Sequence, residues 1–123
     1  ITLCVGSYAS SPFNDINEIT TLFANKVNFI HLRNVKKDRR FSMKNSFVES
    51  DHLDGDVNMA FILNTMLRQK KIYNIPFRPD HGHLMLDDIN KNDINPGYSM
   101  IGRLRGISEL RGLILGLSYE SNI

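Results

Sequence analysis

Short apolar runs alternate along this chain with longer stretches in which apolar residues recur at helical spacing. The apolar runs have the composition of short buried strands, and they lie at 1–7, 27–33 and 77–80. The periodic stretches predict helices at about 16–25, 57–71 and 98–117. Strands that alternate with helices are typical of a parallel sheet with helical crossovers, so the pattern predicts an α/β fold.

Polar residues mark the starts of the first two predicted helices. Asn14 or Asp15 can cap the first helix, and Asp56 can cap the second. The second helix is expected to bury one apolar face, formed by Val57, Ala60, Phe61 and Leu67. Basic residues near its end suit the negative pole of the helix dipole, and they are Arg68, Lys70 and Lys71.

The last predicted helix combines an apolar stripe with several glycines. The stripe comprises Leu104, Ile107, Leu110, Ile114 and Leu117. The glycines are Gly102, Gly106, Gly112 and Gly116, and each costs a helix up to ~1 kcal/mol in propensity. Because they pair at a spacing of four residues, we expect them to allow close backbone packing.

The stretch from 34 to 55 shows no hydrophobic period and is long for a connection. Such connections are usually functional or disordered. Its acidic half lacks the alternating oxygen ligands of a calcium loop, so Asp54 and Asp56 are interpreted as capping and loop-ordering residues. His52 lies in the same half, and we expect it to approach the functional site.

Composition and charge narrow the range of functions. The 123 residues allow one domain, and 41% hydrophobic with 23% charged residues is ordinary for a globular protein. The net charge of +2 is too small to indicate that the protein binds nucleic acid. One local run of basic residues has no aromatic residues among it and is therefore interpreted as a solvated loop. That run contains Lys36, Lys37, Arg39 and Arg40. No apolar stretch approaches the ~20 residues of a membrane span. The single cysteine excludes an internal disulfide and indicates a reducing, cytoplasmic location.

The chain begins inside a predicted strand, without an initiator methionine or a signal segment. Three parallel strands cannot close a barrel, and as an open sheet they would leave long unpaired edges. We therefore expect residues 1–123 to form one partial domain, the C-terminal segment of a longer enzyme.

Three residues with metal-binding side chains stand at the ends of the predicted strands. Cys4, His31 and Asp80 offer sulfur, nitrogen and oxygen donors. In repeating β/α folds the carboxyl ends of the strands converge on one face, where active sites are built. A divalent-metal site is therefore predicted. Taken singly, a lone cysteine is also an ordinary buried residue, and a strand-end histidine is also an ordinary hydrogen-bonded one.

Neighbouring residues suit proton transfer and the binding of an acidic substrate. Arg33 shares a strand face with His31 and matches a substrate carboxylate, although a surface salt bridge is its other ordinary role. His81 is a candidate acid or base near neutral pH. Tyr98 opens the last predicted helix, and its phenol can either donate a proton or pack at the helix start.

Six short motifs resemble those of the mannonate dehydratase family. They are Cys4–Ser7 (CVGS), Phe29–Arg33 (FIHLR), His52–Met59 (HLDGDVNM), Phe77–His83 (FRPDHGH), Asn95–Ser99 (NPGYS) and Gly102–Leu104 (GRL). The resemblance extends from the first residue to about Leu117.

The resemblance implies the C-terminal β/α units, about three strands, of a TIM (β/α)8 barrel of the xylose-isomerase type. It implies a lyase that removes water from D-mannonate to give 2-keto-3-deoxy-D-gluconate in glucuronate catabolism, with Mn2+ or Fe2+. By motif, Cys4, His31 and Asp80 are implied as metal ligands. Arg33 and His52 are implied to bind substrate, and Asp80, His81 and Tyr98 to act in catalysis. Which residue takes a proton and which gives one stays open.

The family's remaining histidine ligand and first five strands are absent from these residues. We therefore expect the segment alone to be inactive. We also expect the full-length enzyme to be a homo-oligomer. Two alternatives stay open: a related metal-dependent sugar isomerase or epimerase, which needs no leaving-group acid, and an inactive truncated fragment. The product of the reaction would separate the dehydratase from the isomerase.

Overall fold

A computed structural model describes residues 1–38, 40, 46–69 and 72–120. Its strands are β1 (Thr2–Cys4), β2 (Phe29–His31), β3 (Asn34–Lys37), β4 (Phe47–Ser50) and β5 (Phe77–Arg78). Its α-helices are α1 (Val5–Ala9), α2 (Ile16–Phe23), α3 (Met59–Arg68) and α4 (Met100–Glu120). The expectations for Arg39, Lys70 and Lys71 fall outside the described residues.

The three predicted strands form one parallel sheet with the order β1-β2-β5. Cys4 pairs with His31, and His31 pairs with Arg78, so the three strands end at the same level. Leu3 and Ile30 are almost fully buried within the sheet. The prediction of an α/β fold with parallel strands is confirmed, although each strand is shorter than the apolar run that predicts it.

The hydrophobic core lies where the sheet meets the helices. Helix α3 packs against both α2 and α4. The core residues include Leu3, Ile30 and Leu32 near the sheet, Ile62, Leu63 and Met66 on α3, and Leu110 and Ile114 on α4. Burial of such side chains is the main favourable contribution to folding.

The caps of the helices confirm one prediction and correct another. Asp15 caps α2, because its Oδ1 accepts hydrogen bonds from the backbone N–H groups of Asn17 and Glu18 at 2.9 and 3.0 Å. Asp56 does not cap α3. Its carboxylate accepts a hydrogen bond from the backbone of Lys37 at 2.7 Å, and Asn58 caps the helix instead. Both residue types favour caps, so their identities alone do not decide which one begins the helix.

The buried face of α3 differs from the predicted one. Met59, Ile62, Leu63 and Met66 are buried, whereas Phe61 is 39% exposed. Ala60 and Leu67 are half-buried, and Val57 is buried but precedes the helix. Apolar residues occupy most positions of α3, so two helical faces fit the pattern, and packing against the sheet selects between them.

Helix α4 begins at Met100, two residues later than predicted. Ser99 precedes the helix, and the Oγ of Ser99 accepts a hydrogen bond from the backbone N–H of Gly102 at 2.9 Å. Gly102 packs closely against backbone, as expected, whereas Gly106 packs against the side chain of His52. A Cβ at Gly102 would lie 2.1 Å from the carbonyl oxygen of His83. Gly112 and Gly116 instead face open space. On the predicted stripe Leu110 and Ile114 are buried, whereas Leu104 is exposed.

The described residues of the connection after β2 contain two strands that the sequence pattern does not predict. Strands β3 and β4 form a second, antiparallel sheet in which Asn34 pairs with Ser50 and Lys37 with Phe47. We call these two strands the β3–β4 pair. Each strand has only four residues, too few for a two-residue period to stand out.

A buried asparagine anchors the end of this connection. Asn34 is 1% exposed, and its Nδ2 donates to the carbonyl groups of His52 and Val57 at 2.8 and 3.1 Å. Its Oδ1 accepts from the backbone N–H groups of Val35 and Val57 at 2.9 and 3.0 Å. One side chain thus fixes the β3–β4 pair to the start of α3.

Within the described residues, every helix is too short or too polar to cross a membrane.

Candidate metal and substrate site

The three predicted metal ligands converge at the carboxyl end of the parallel sheet. Cys4 Sγ lies 3.7 Å from Asp80 Oδ2, and His31 Nδ1 lies 3.9 Å from Asp80 Oδ1. One ligand atom from each residue lies within 4.8 Å of the other two. The register of β1 and β2 explains this for Cys4 and His31, and Asp80 follows β5 by two residues. Their convergence is as predicted, and their role as ligands stays a prediction.

The donor set fits a divalent transition metal. Imidazole and carboxylate suit Mn2+ or Fe2+, and a thiolate favours the softer iron. The ligand atoms lie within 4.8 Å of one another, so bonds of about 2.0–2.3 Å from each of them could reach one ion. Asp80 has a φ of 72°, an uncommon backbone conformation for a residue with a side chain. Such conformations cluster at functional sites, where the surrounding structure holds them.

The surroundings of His31 favour the protonation state that binds a metal. Burial lowers its pKa below the ordinary value, and the Arg78 cation lowers it further, while Asp80 opposes both effects. A lowered pKa favours the neutral imidazole, the form that keeps a lone pair for coordination. The ring also makes an edge contact with Phe29, with centroids 4.8 Å apart, which fixes its orientation.

Arg78 holds the Asp80 carboxylate from the side opposite Cys4. Its Nη2 donates to Asp80 Oδ1 at 2.6 Å, and its guanidinium lies 6.0 Å from the Phe29 ring centre. Arg78 is not among the site residues that the sequence predicts. Its place in a short strand directly before the Asp80 turn was the available signal.

Arg33 lies beside the three candidate ligands and is paired with Glu49. Its Nε donates to both Glu49 oxygens at 3.1 and 3.0 Å, and its Nη2 also donates to Oε1. The hydrogen bond to Glu49 is the largest influence that raises the pKa of Arg33. With 15% of its side chain exposed, Arg33 is half-buried and not part of a surface salt bridge.

A serine connects Arg33 to the thiol. Nη1 of Arg33 donates to Ser7 Oγ at 3.1 Å, and the Ser7 hydroxyl lies 3.0 Å from Cys4 Sγ. Gly6 provides room for the arginine, since a Cβ there would lie 2.6 Å from Arg33 Cγ. Ser7 stands in the short helix α1, which the sequence pattern does not predict.

His81 and Tyr98, the predicted proton-transfer residues, are in ring contact. Their centroids lie 5.2 Å apart at an interplanar angle of 72°. Tyr98 is 56% exposed, and the guanidinium of Arg103 lies 5.1 Å from its ring centre. An open cleft of about 340 Å³ runs beside these residues, lined by Arg78, Pro79, Asp80, Tyr98, Arg103 and Ile107. Tyr98 precedes α4 instead of opening it.

His52 is not among the residues that the site brings together. It is 5% exposed, and its Nε2 donates to the carbonyl oxygen of Pro79 at 2.8 Å. A Cβ at Gly106 would lie 2.4 Å from its Cε1. His52 is thus enclosed between α4 and the residue before Asp80, where it supports the turn that places the carboxylate, and its expected contact with substrate stays a prediction.

Glu49 is the main residue of the site that the sequence analysis missed. Its Oε2 lies 3.2 Å from Nδ1 of His81, while the same carboxylate binds Arg33. The signal was the two-residue spacing of Phe47 and Glu49, which puts both on one face of β4. The guanidinium of Arg33 lies 5.6 Å from the Phe47 ring centre, against that same face.

Comparisons with known proteins agree with the sequence resemblance. Residues 1–123 match the family described as D-mannonate dehydratase (UxuA). The chain is 48% identical to mannonate dehydratase 2 of Agrobacterium fabrum over 121 residues, which cover 93% of this chain and 29% of that protein. It is 43% identical to mannonate dehydratase of Saccharophagus degradans over 125 residues, covering 95% of this chain and 30% of that protein.

A solved structure shares the arrangement of the chain. The crystal structure of mannonate dehydratase from Streptococcus suis serotype 2 superposes with a TM-score of 0.81 at 32% sequence identity. The match covers 98% of this chain and 33% of that one, so the chain spans about a third of the length of the relatives it matches. On the family match over its whole length, the chain belongs to the D-mannonate dehydratase family.

Proposed function

We propose that this chain provides the metal-binding and proton-transfer face of a hydro-lyase that converts D-mannonate to 2-keto-3-deoxy-D-gluconate and water. The observation that carries the proposal is the convergence of Cys4, His31 and Asp80 beside the contacting rings of His81 and Tyr98. Family membership supports the same reaction, since the relatives it matches are named mannonate dehydratases.

Cys4, His31 and Asp80 would hold Mn2+ or Fe2+. When bound, the cation would supply positive charge beside the substrate oxygens, where negative charge develops during proton abstraction. Arg78 limits the freedom of Asp80, since it binds one carboxylate oxygen and leaves the other facing Cys4. For that reason Asp80 is assigned to the metal, and the proton-transfer roles fall to His81 and Tyr98.

The reaction requires one group that takes a proton and one that gives a proton. The bond between C2 and its hydrogen breaks, and the proton passes to one member of the His81–Tyr98 pair. The electron pair forms the C2–C3 double bond while the C3 hydroxyl leaves as water with a proton from the other member. The resulting enol becomes the 2-keto product. Acid–base groups of this kind typically contribute about 10²–10⁴-fold to the rate.

Basic side chains beside the cleft suit the carboxylate of the substrate. Arg78 and Arg103 line the cleft, and Arg33 is hydrogen-bonded to Glu49 beside the candidate ligands. Arg33 donates to Glu49 and Ser7, and its terminal nitrogens retain N–H groups for a bidentate contact. We propose Arg33 as the residue that orients the substrate carboxylate.

We further infer that the parallel sheet is part of a (β/α)8 barrel. Within the described residues, β1 and β5 each pair along one edge only, and the strand carboxyl ends carry the candidate site, as in barrel enzymes. The share of the relatives' length that the chain covers leaves room for further β/α units.

The test uses the longest natural protein that contains this chain, purified and supplied with Mn2+ or Fe2+. Incubation with D-mannonate should release the 2-keto-3-deoxy acid, detected by its carbonyl group and by mass spectrometry as the loss of one water. A product of unchanged mass would point to an isomerase or epimerase and would overturn the proposal. Omission of the metal, with a chelator present, should abolish turnover.

A further inference from the structure

Glu49 contacts two residues of the candidate site at once, and the proposed reaction gives it no role. Its carboxylate accepts from Arg33 through Nε at 3.1 and 3.0 Å, and its Oε2 lies 3.2 Å from Nδ1 of His81. The side chains of Glu49, Arg33 and His81 are 28%, 15% and 20% exposed. The cluster is therefore sheltered from the screening that weakens surface ion pairs.

The β3–β4 pair determines where this carboxylate lies. Glu49 pairs with Val35 in the antiparallel ladder, next to the pair formed by Asn34 and Ser50. Arg33 then fixes the orientation of the carboxylate, because it donates to both oxygens and because its guanidinium also rests against Phe47. A carboxylate held in this way presents a defined acceptor to its other neighbour.

Nδ1 of His81 is that neighbour. It is buried and makes no aligned hydrogen bond within the described part of the chain. Two acceptors lie near it: Glu49 Oε2 at 3.2 Å and Asp80 Oδ2 at 3.9 Å. Only the first is within hydrogen-bonding distance. Catalytic hydrogen bonds are often poorly aligned before substrate binds and tighten in the complex.

We propose that Glu49 is a positioning residue that holds His81 as the tautomer with its proton on Nδ1. An ionised carboxylate only accepts hydrogen bonds, so the ring nitrogen that faces it must donate. Nε2 is then left with the lone pair that takes part in the proton transfer. This inference rests on the proposed dehydration for its kinetic consequence, and on the geometry alone for the tautomer.

The kinetic test compares Glu49→Gln with Asp54→Asn in the full-length, metal-loaded protein. Asp54 is a 79%-exposed carboxylate that pairs with Lys36, away from the cluster. We expect Glu49→Gln to lower kcat for D-mannonate by about 10–100-fold, as for other residues that orient a catalytic group, with unchanged metal content. Asp54→Asn should leave kcat unchanged. If Glu49 served only to hold Arg33, KM would rise and kcat would stay, which would overturn the proposal.

The structural test reads the tautomer directly. Nitrogen-15 NMR of histidine-labelled, metal-free protein at about pH 8.5, two units above the ordinary imidazole pKa, identifies which ring nitrogen carries hydrogen. A His81→Gln variant assigns the signal. We expect an Nδ1–H ring in the wild type. In Glu49→Gln the amide oxygen stays with Arg33, so the amide nitrogen faces Nδ1 and the ring should change to the Nε2–H form.

The two tests separate failure of this inference from failure of the proposed function. Absence of dehydration by the wild type, together with an Nδ1–H ring at His81, rejects the reaction and supports the positioning role. An Nε2–H ring in the wild type overturns the positioning role whatever the activity, and it does so even if Glu49→Gln does not fold. A tautomer that Glu49→Gln leaves unchanged overturns it as well.

Discussion

The carboxyl end of the parallel sheet and the β3–β4 pair contribute to one site in different ways. At the sheet end, Cys4 and His31 are register partners on adjacent strands, and Asp80 follows the third strand. The ladder of backbone hydrogen bonds therefore brings them together. The β3–β4 pair instead supplies Glu49, with Phe47 beside it against Arg33. Glu49 reaches the site only because four-residue strands pair across a long connection.

The difference shows which parts of a site follow a general rule. Strand ends in a parallel sheet converge whatever the connections between them, so the candidate metal ligands follow from strand order alone. The place of Glu49 depends on the register between β3 and β4, and a one-residue slip would turn its side chain to the other face. Substitutions at the sheet end should therefore abolish metal binding or proton transfer. Substitutions in the β3–β4 pair should instead weaken the positioning of His81 and lower the stability of the protein.

The largest expected effect is that of Asp80→Asn. The amide is a poor metal ligand and also loses the charged contact with Arg78 at 2.6 Å. Metal content and activity should fall together. The loss of activity should exceed about 10⁴-fold, which is the upper end of what a single acid–base group contributes. Elemental analysis and kcat, measured on the same full-length preparation, check this. A variant that keeps its metal while losing activity would show that Asp80 is not a ligand.

His81→Ala should fail in a different manner. The residue is assigned to proton transfer, so kcat should fall by about 10²–10⁴-fold while the metal stays bound. The same two measurements apply, and Asp54→Asn serves as the matched control. Loss of metal in His81→Ala, with retention in Asp80→Asn, would reverse the two assignments.

In the β3–β4 pair, Asn34→Ala should destabilise the protein. The change leaves the buried carbonyl of His52 and the backbone groups of Val57 without their side-chain partner. We expect the free energy of unfolding to fall by at least about 1–3 kcal/mol, the usual cost of unsatisfied buried groups. Urea denaturation followed by circular dichroism measures it. The exposed Asn90→Ala is the control, and an equal effect of both variants would refute the anchoring role.

The smallest expected effect is a pH dependence at the end of β3. Hydrogen bonds from the side chain and the backbone of Arg40 lower the pKa of Asp38 to about 2. Because this pKa lies below the unfolded value of about 3.9, the stabilisation is complete above that value and is lost as the pH falls toward 2. Wild type and Asp38→Asn should therefore differ in thermal stability at about pH 6 and converge near pH 2. A difference that persists at the lower pH would contradict the contact.

Local signals predicted local structure well where one residue decides it. Asp15 caps α2 because a single side chain and the next two N–H groups suffice. Asp56 and Asn58 could each cap α3. The carboxylate of Asp56 accepts a hydrogen bond from the backbone of Lys37, and Asn58 caps the helix. The choice of cap depends on a contact with β3, which is distant in sequence, so no local sequence pattern predicts it. The same holds for His52, whose acid-rich surroundings gave no sign that it would be enclosed against Gly106.

By itself, the sequence determined the alternation of strands and helices, the parallel α/β class and the strand-end positions of Cys4, His31 and Asp80. These depend on hydrophobic period and chain order, which are local properties. Only the tertiary structure decided which face of α3 is buried, that Arg33 pairs with Glu49 and that Glu49 faces His81. Those contacts join residues from separate elements, and their geometry is the result of strand register and close packing, which act through the whole fold.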